Sequence, residues 1–395
     1  MSPVSLRAYL VGLFSADHGI RGVPPEELER LLAAPEWAWI GSRAVAGGAI
    51  ADAAMCRQLP EKIRKEVSAA AAAAFAWIIE TPAAVARGVA SMTPEMEQLY
   101  VELLDSVTRQ LAALPDKPEE TPASTLRALW LLAAGLPMSA APATDAPLPP
   151  LAADAVMRLR GLLEQRYQGV PLAHLTERQQ FMGIELHVGK AALVPRKETE
   201  ILGSCALGVL KRLAQEQSQP LVIDVCTGVG NVAMALASYE PAAHIYASDL
   251  SEEAVALARA NSERLSLNER LEFRQGDFLA PFDAAPFRAQ VDVLTCNPPY
   301  ISSGKLGSMP DEIIGHEPQL AFDGGPFGVR ILQRLISEAP RYVRAGGWVI
   351  FEVGMGQGPA LLDRLRRNTA YRNSRGVLDD SGAVRTILTQ LNGTA

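Results

Sequence analysis

The sequence has few cysteines and histidines, and neither residue type is arranged as a metal site. Its four cysteines are scattered without a Cys-x-x-Cys pair, and its five histidines show no metal-ligand spacing. These absences argue against a zinc site and against the disulfide framework of a small secreted protein. The sequence therefore predicts no metal, and it is typical of a reducing, cytoplasmic environment.

Long apolar runs and an excess of basic residues are also lacking. The apolar run at residues 9–14 is too short for a signal peptide, and the alanine-rich run at residues 69–79 is too weakly apolar to span a bilayer. The chain has 37 basic and 44 acidic residues, for a net charge of −7. Because clustered Lys and Arg supply the affinity for phosphate backbones, a nucleic acid is not an expected partner. Because the apolar runs are too short or too weakly apolar, a membrane is not an expected partner either.

The length and the residue pattern predict more than one domain, because 395 residues exceed what a single core usually serves. Residues 1–135 are rich in alanine, with apolar residues at helical spacing. They predict an all-helical N-terminal domain that acts as a substrate lid, a docking surface or a dimer interface, so homodimerisation is a hypothesis. A proline-rich linker at residues 136–151 and a helix and β-hairpin connector at residues 152–195 are expected to follow.

Residues 196–395 predict an α/β domain, because short apolar runs alternate there with helical stretches. The predicted strands are Leu221–Val225, His244–Ser248, Leu271–Gln275, Val291–Cys296 and Trp348–Val353. This alternation indicates parallel strands with helices on both faces of the sheet. Ligands of such sheets bind beyond the carboxyl ends of the strands.

Four successive predicted strands end in glycine-rich or polar segments. The first runs into a glycine-rich turn, where the backbone can approach a ligand closely. A carboxylate at Asp249 can take both hydroxyls of a ribose, while Asp277 can accept an adenine amino group and Phe278 can pack on the ring. Each acid alone could simply cap a helix, but the set favours S-adenosylmethionine (SAM) over a dinucleotide. The predicted cofactor-binding residues are Asp224, Cys226, Thr227, Gly228, Gly230, Asp249, Leu250, Asp277, Phe278 and Asn297.

The segment Asn297-Pro298-Pro299-Tyr300 follows the fourth predicted strand and is the predicted catalytic motif. Its prolines fix φ and remove two backbone donors, so the Asn297 side-chain oxygen and the Pro298 carbonyl remain as acceptors. These two acceptors can hold the hydrogens of an –NH2 group, while the Tyr300 ring packs on a flat substrate. Such an orientation aims the delocalised lone pair of a planar nitrogen at a methyl carbon. The motif therefore predicts a SAM-dependent N-methyltransferase.

Several further segments match one family in order and spacing. They are Pro171 to Thr176, Val194 to Glu200, the glycine-rich turn, the Asn-Pro-Pro-Tyr motif, and Glu317-Pro318 through Gly324-Gly325. With these segments the chain resembles the HemK-like family, the release-factor glutamine methyltransferases, over about residues 162–391, or about 230 residues. The resemblance implies a seven-stranded Rossmann-like SAM-dependent methyltransferase domain with an antiparallel last strand at residues 383–390. It also implies that Pro195 and Glu198 line the cleft and that Asn297 holds an amide.

The chain also departs from this family. Cys226 replaces the first glycine of the turn, and residues 1–135 do not match the short helical domain that helps to receive the protein substrate. This replacement favours a small amino-acid-like substrate, such as the guanidinium of free arginine, for which Asp311, Glu312 and Glu317 would supply carboxylates. The alternative is a glutamine of a peptide chain release factor, and a second alternative is a non-catalytic SAM-binding scaffold.

Overall fold

A seven-stranded sheet organises the C-terminal part of the chain. The computed structural model describes residues 4–5, 44–45, 92–111, 116–309 and 311–392. In chain order the strands are β1 Leu221–Val225, β2 His244–Asp249, β3 Leu271–Gln275, β4 Val291–Cys296, β5 Val343–Glu352, β6 Tyr371–Leu378 and β7 Val384–Leu391. Their order in the sheet is β6-β7-β5-β4-β1-β2-β3, and β7 runs antiparallel to the other six strands. This topology confirms the Rossmann-like methyltransferase fold.

The central strands are covered on both faces, which explains why they read as continuous apolar runs. Every residue of β4 is buried. Helices Thr199–Glu216 and Asn231–Tyr239 contribute to the apolar cluster on one face of the sheet, and helices Arg330–Glu338 and Gly358–Arg367 contribute to the cluster on the other. The carboxyl ends of β1, β2 and β4 therefore open at one edge, between two well-packed layers.

Helices occupy most of the remaining described segments. The α-helices are Pro94–Gln110, Pro122–Ala133, Ala140–Ala143, Ala153–Tyr167, Leu172–Thr176, Thr199–Glu216, Asn231–Tyr239, Glu252–Arg264, Asp311–Ile314, Arg330–Glu338 and Gly358–Arg367. A two-stranded hairpin pairs Arg178–Phe181 with Ile184–His187. The hairpin and helix Ala153–Tyr167 lie where the sequence predicts them, while the domain boundaries stay a prediction. Among the described residues, no helix is long and apolar enough to cross a membrane.

The chain divides into two compact units, residues 1–99 with 144–150, and residues 100–143 with 151–395. In the first unit, a two-residue strand at Val4–Ser5 pairs with Ala44–Val45, which departs from the all-helical expectation. Most of that expectation falls on residues outside the described ones. In the second unit, the predicted proline-rich linker contains the short helix Ala140–Ala143, and the Ser139 hydroxyl donates to Glu185 of the hairpin over 2.7 Å.

Candidate active site

A cavity of about 760 Å³ opens at the carboxyl ends of the sheet strands, within the size range of small-molecule sites. Most of the residues predicted to form the site contribute to its wall. They are Pro195, Asp224, Cys226, Thr227, Gly228, Asp249, Leu250, Asp277, Phe278, Asn297 and Pro299. The topology therefore brings the predicted cofactor turn and the predicted acceptor motif to one cavity.

Asp224 shapes the turn after β1. Its buried carboxylate accepts hydrogen bonds from the hydroxyls of Thr227 at 2.6 Å and Thr295 at 2.7 Å. Burial raises the pKa of this carboxyl to about 6. Cys226 and Gly228 adopt left-handed φ values of 57° and 55°, which bend the chain sharply toward the cavity. Side chains of β1 and β4 thus hold the turn in its conformation.

Asp249, at the end of β2, has the geometry expected of a hydroxyl acceptor. Its Oδ2 accepts the Gly228 N–H over 2.9 Å, and its Oδ1 accepts the Ser251 N–H over 3.0 Å. Burial raises the pKa of Asp249. Among the described residues no cation pairs with it, so its carboxylate is held by neutral donors and retains acceptor capacity toward the cavity. Its assignment to a ribose stays a prediction.

Asp277 and Phe278 meet a partner that no local sequence motif signals. The Arg334 guanidinium contacts Asp277 Oδ1 at 2.6 Å and lies 5.0 Å from the centre of the Phe278 ring. Arg334 also lines the cavity. It comes from helix Arg330–Glu338, 57 positions along the chain from Asp277. Arg334 also pairs with Glu338 at 2.6 Å, so two carboxylates balance its charge while the planar guanidinium packs near Phe278.

Asn297 is oriented by Thr199, a partner that no local sequence motif signals. Its Nδ2 donates a hydrogen bond to the Thr199 hydroxyl over 3.1 Å, and both residues line the cavity. Because the amide nitrogen is engaged, Oδ1 is the group left to accept a hydrogen bond from a ligand. Pro299 lines the cavity beside Asn297. Pro298 does not line it, and the acceptor role of its carbonyl stays a prediction.

Tyr300 and Glu198 are not among the cavity-lining residues and are engaged by other side chains, and their roles toward a substrate stay predictions. The Tyr300 hydroxyl donates to Glu352 Oε1 over 2.9 Å. Arg385 Nη2 lies 3.4 Å from both the Tyr300 hydroxyl and Glu198 Oε1. Burial raises the pKa of Glu352 to about 7. Tyr300 is therefore held by a buried polar cluster, in which the Arg385 guanidinium lies 5.8 Å from the centre of the Tyr300 ring.

Gly230 also lies outside the cavity lining, and its requirement for glycine has another origin. Its φ is 84°, which disfavours side chains with a Cβ. A Cβ there would lie 2.8 Å from Met234 Cε and 3.1 Å from the Phe273 ring. Gly230 therefore has a packing role at the start of helix Asn231–Tyr239, and its contact with the cofactor stays a prediction.

The predicted substrate role of Glu317 also requires correction. Glu317 Oε1 pairs with Arg196 Nη2 at 2.5 Å, and its Oε2 accepts the Val194 N–H over 2.9 Å. The side chain is fully buried and does not line the cavity. Both carboxylate oxygens therefore hold the chain in place, and neither is directed at a substrate.

Glu312 is similarly engaged inside the protein. Its carboxylate contacts Lys117 Nζ at 2.6 Å and Arg166 Nη1 at 3.2 Å. These contacts lower the pKa of Glu312, although burial opposes the change. The side chain of Asp311 lies outside the described residues. The acidic residues suggested as partners of a guanidinium thus offer no free described carboxylate at the acceptor motif.

The donor set fits a cofactor that combines a nucleoside with a cationic amino acid. Asp249 offers a buried acceptor, and Asp277 and Phe278 lie together at the end of β3. Close backbone approach is possible at Gly228, where an added Cβ would meet only Ala192 Cβ at 3.8 Å. Within the described part of the chain, no group of three or more His, Cys, Asp or Glu could hold a metal ion. The arrangement suits SAM.

Comparisons with known proteins identify relatives. A family model described as "Methyltransferase domain" matches residues 217–353. The release factor glutamine methyltransferase of Moorella thermoacetica is 38% identical over 238 residues, covering 60% of this chain and 81% of that protein. The protein of the same name from Bacillus subtilis is 32% identical, with the same two coverages. That of Caulobacter vibrioides is 32% identical over 290 residues, covering 73% of this chain and 96% of that protein.

Proposed function

This chain belongs to the HemK-like family of release-factor glutamine methyltransferases, and we propose that its acceptor is the side-chain amide of a glutamine in a peptide chain release factor. That it is a SAM-dependent methyltransferase follows from the matched domain and from the relatives. The observation that carries the acceptor proposal is the hydrogen bond from Asn297 to Thr199. It leaves Asn297 Oδ1 as an acceptor on the wall of the cavity that also contains Asp249.

The chain's own residues contribute mainly position. When bound, SAM supplies an electrophilic methyl group on a sulfonium. Asn297 Oδ1, with the Pro298 carbonyl as the predicted second acceptor, would hold the two amide hydrogens and so set the direction of the nitrogen lone pair. An amide nitrogen is weakly nucleophilic, so restricting it to one reactive geometry supplies a large part of the rate enhancement. No strong general base is required, because a proton can leave after transfer.

A guanidinium substrate fits the site less well. Arginine is cationic at neutral pH and requires nearby carboxylates. Glu317 and Glu312 are engaged by Arg196, Lys117 and Arg166. A neutral amide requires acceptors only, and these are what the Asn-Pro-Pro-Tyr motif offers. The preference for free arginine is therefore replaced by the alternative, a protein glutamine.

A small substrate was favoured because residues 1–135 do not match the helical domain of the family. The length of the match with the relatives weakens that reason. The resemblance in the motifs covers about 230 residues, yet the match with the Caulobacter vibrioides protein spans 290 residues and 96% of that protein. Only four residues follow Leu391, so most of the additional match must precede residue 162. The helical segment before the connector is thus related to the family in part, and it supports a protein substrate. Homodimerisation and a cytoplasmic location stay predictions.

The test is a methyl-transfer assay with labelled SAM. One arm contains purified release factor from the same source, and the other contains free arginine and free glutamine. A release factor with its methylated glutamine changed to alanine serves as the matched substrate control. Label on the release factor but not on this control supports the proposal. Label on free arginine, with none on the release factor, would overturn it.

A further inference from the structure

Two cysteines lie at adjacent strand ends beneath the cavity. Strands β1 and β4 pair so that Val225 lies opposite Cys296. Cys226 follows Val225 directly in the sequence. Neighbouring strands are about 4.8 Å apart. Disulfide-bonded cysteines have Cα atoms about 4.4–6.8 Å apart, so this placement is compatible with a bridge. Both residues contribute to the same apolar cluster.

The two thiols differ in their access to solvent. Neither Cys226 nor Cys296 is in a disulfide in the structure. Cys226 is partly exposed and lines the cavity, whereas Cys296 is fully buried. Burial also raises the pKa of the Cys296 thiol. A small reagent that enters the cavity therefore reaches Cys226 first and finds a second thiol directly behind it.

We propose that Cys226 and Cys296 form a site of reversible oxidative modification at the floor of the cofactor cavity. The oxidant is a small hydroperoxide such as hydrogen peroxide. Cys226 sulfur takes one peroxide oxygen to give a sulfenic acid, and water leaves. The Cys296 sulfur then displaces that hydroxyl to form the S–S bond, and a second water leaves with the Cys296 proton. Two thiols lose two electrons, and one peroxide gains them.

The effect of oxidation on the enzyme follows from the segments next to the two cysteines. Cys226 begins the turn whose next residues, Thr227 and Gly228, line the cavity, and Cys296 immediately precedes Asn297. A covalent link would fix the turn to the acceptor motif and change the left-handed geometry at Cys226, where φ is 57°. Oxidation should then close the site, and a bound cofactor should shield Cys226. The inference requires that the cavity binds SAM, but it does not depend on the identity of the acceptor.

The experiment uses the full chain with hydrogen peroxide as the probe. All four cysteines fall on different tryptic peptides, so a non-reducing digest identifies each linkage by mass. A Cys56→Ser, Cys205→Ser background leaves only the two cysteines of interest, and Cys296→Ala on that background is the matched variant without a partner thiol. SAM binding is measured by calorimetry before oxidation, after oxidation, and after reduction with dithiothreitol. This readout is independent of the acceptor.

We expect a linked pair of peptides containing Cys226 and Cys296 in the wild type and in the background variant. The loss of SAM-binding capacity should track the linked fraction, and dithiothreitol should restore it. S-adenosylhomocysteine should slow the linkage. Cys296→Ala should give no linked pair, and its Cys226 should proceed to irreversible acids. Full consumption of Cys226 without a linked pair in the wild type would overturn the proposal. Linkage that leaves SAM binding unchanged would also overturn it.

Discussion

The orientation of Asn297 leads to the most specific prediction. Replacing Thr199 with valine keeps the shape of this buried residue and removes the hydroxyl that accepts the Asn297 Nδ2 hydrogen bond. The Asn297 amide can then turn its nitrogen toward the cavity, where it would repel the hydrogens of the substrate amide. We expect turnover to fall, while SAM affinity changes little because the Asp249 end of the cavity is untouched.

The size of the effect follows from the hydrogen bond that is lost. A neutral hydrogen bond contributes about 0.5–1.5 kcal/mol net. Since about 1.4 kcal/mol corresponds to a factor of ten in rate, Thr199→Val should reduce the transfer rate by about 2- to 10-fold. Asn297→Ala removes the acceptor itself and should cost about 100- to 1,000-fold, the range seen when a group that stabilises a transition state is deleted.

The assay is a single-turnover measurement with labelled SAM, so that product release does not mask the chemical step. Thr199→Ser restores the hydroxyl and is the matched control; it should recover most of the rate. Thermal unfolding of the wild type and the three variants tests that the fold is intact. If Thr199→Val and wild type transfer at the same rate with equal SAM affinity, the orienting role assigned to Thr199 is refuted.

Three further substitutions test other parts of the site. Glu317→Gln removes the closer of the two carboxylates that pair with the buried Arg196 and leaves only Asp116, at 3.6 Å. It should lower the free energy of unfolding by about 3 kcal/mol. In the same denaturant titration, Asp363→Asn at an exposed ion pair should cost less than about 1 kcal/mol, and equal losses would contradict the structural role of Glu317. Asp249→Asn should weaken SAM binding by about 10- to 100-fold in calorimetry, since it removes a charged acceptor; unchanged affinity would exclude Asp249 from the cofactor site. Glu352 tests the pH dependence. Because the folded protein holds the Glu352 proton up to a pKa of about 7 and the unfolded chain releases it near 4.5, stability should fall as pH rises between these values, by about 3 kcal/mol. Glu352→Gln should reduce that fall, and an unchanged slope in denaturation at several pH values would contradict the burial argument.

The central strands could be predicted from the sequence, because burial on both faces leaves an uninterrupted apolar run. Strand β4 is the clearest case, since all six of its residues are buried. The edge strand β6 was missed because most of its residues are exposed or half-buried and its sequence is polar. Strand β5 begins at Val343, earlier than predicted, because its first residues include two glycines that do not read as a strand.

The residues of the candidate site also fall into two groups, those whose position could be predicted from the sequence and those whose position could not. Residues at the ends of neighbouring strands, such as Asp249 and Asp277, could be placed together because parallel topology brings these ends to one edge. Side-chain partners from distant segments could not. Thr199 and Asn297 are 98 positions apart, and Arg196 and Glu317 are 121 apart. No local pattern encodes such pairings, so the free carboxylate expected at Glu317 is in fact neutralised.

The buried charges also bear on whether residues 116–135 act as a lid or as a docking surface. Glu312, in the segment after the acceptor motif, is held by Lys117 and Arg166, and Arg166 also contacts Glu120 at 3.5 Å. Separating one buried partner from another costs about 3–5 kcal/mol. A hinged opening of residues 116–135 on each turnover would have to break such contacts, so these residues are better suited to a fixed docking surface than to a lid. Under the proposed function, a fixed surface would require the protein substrate to bring its glutamine to Asn297.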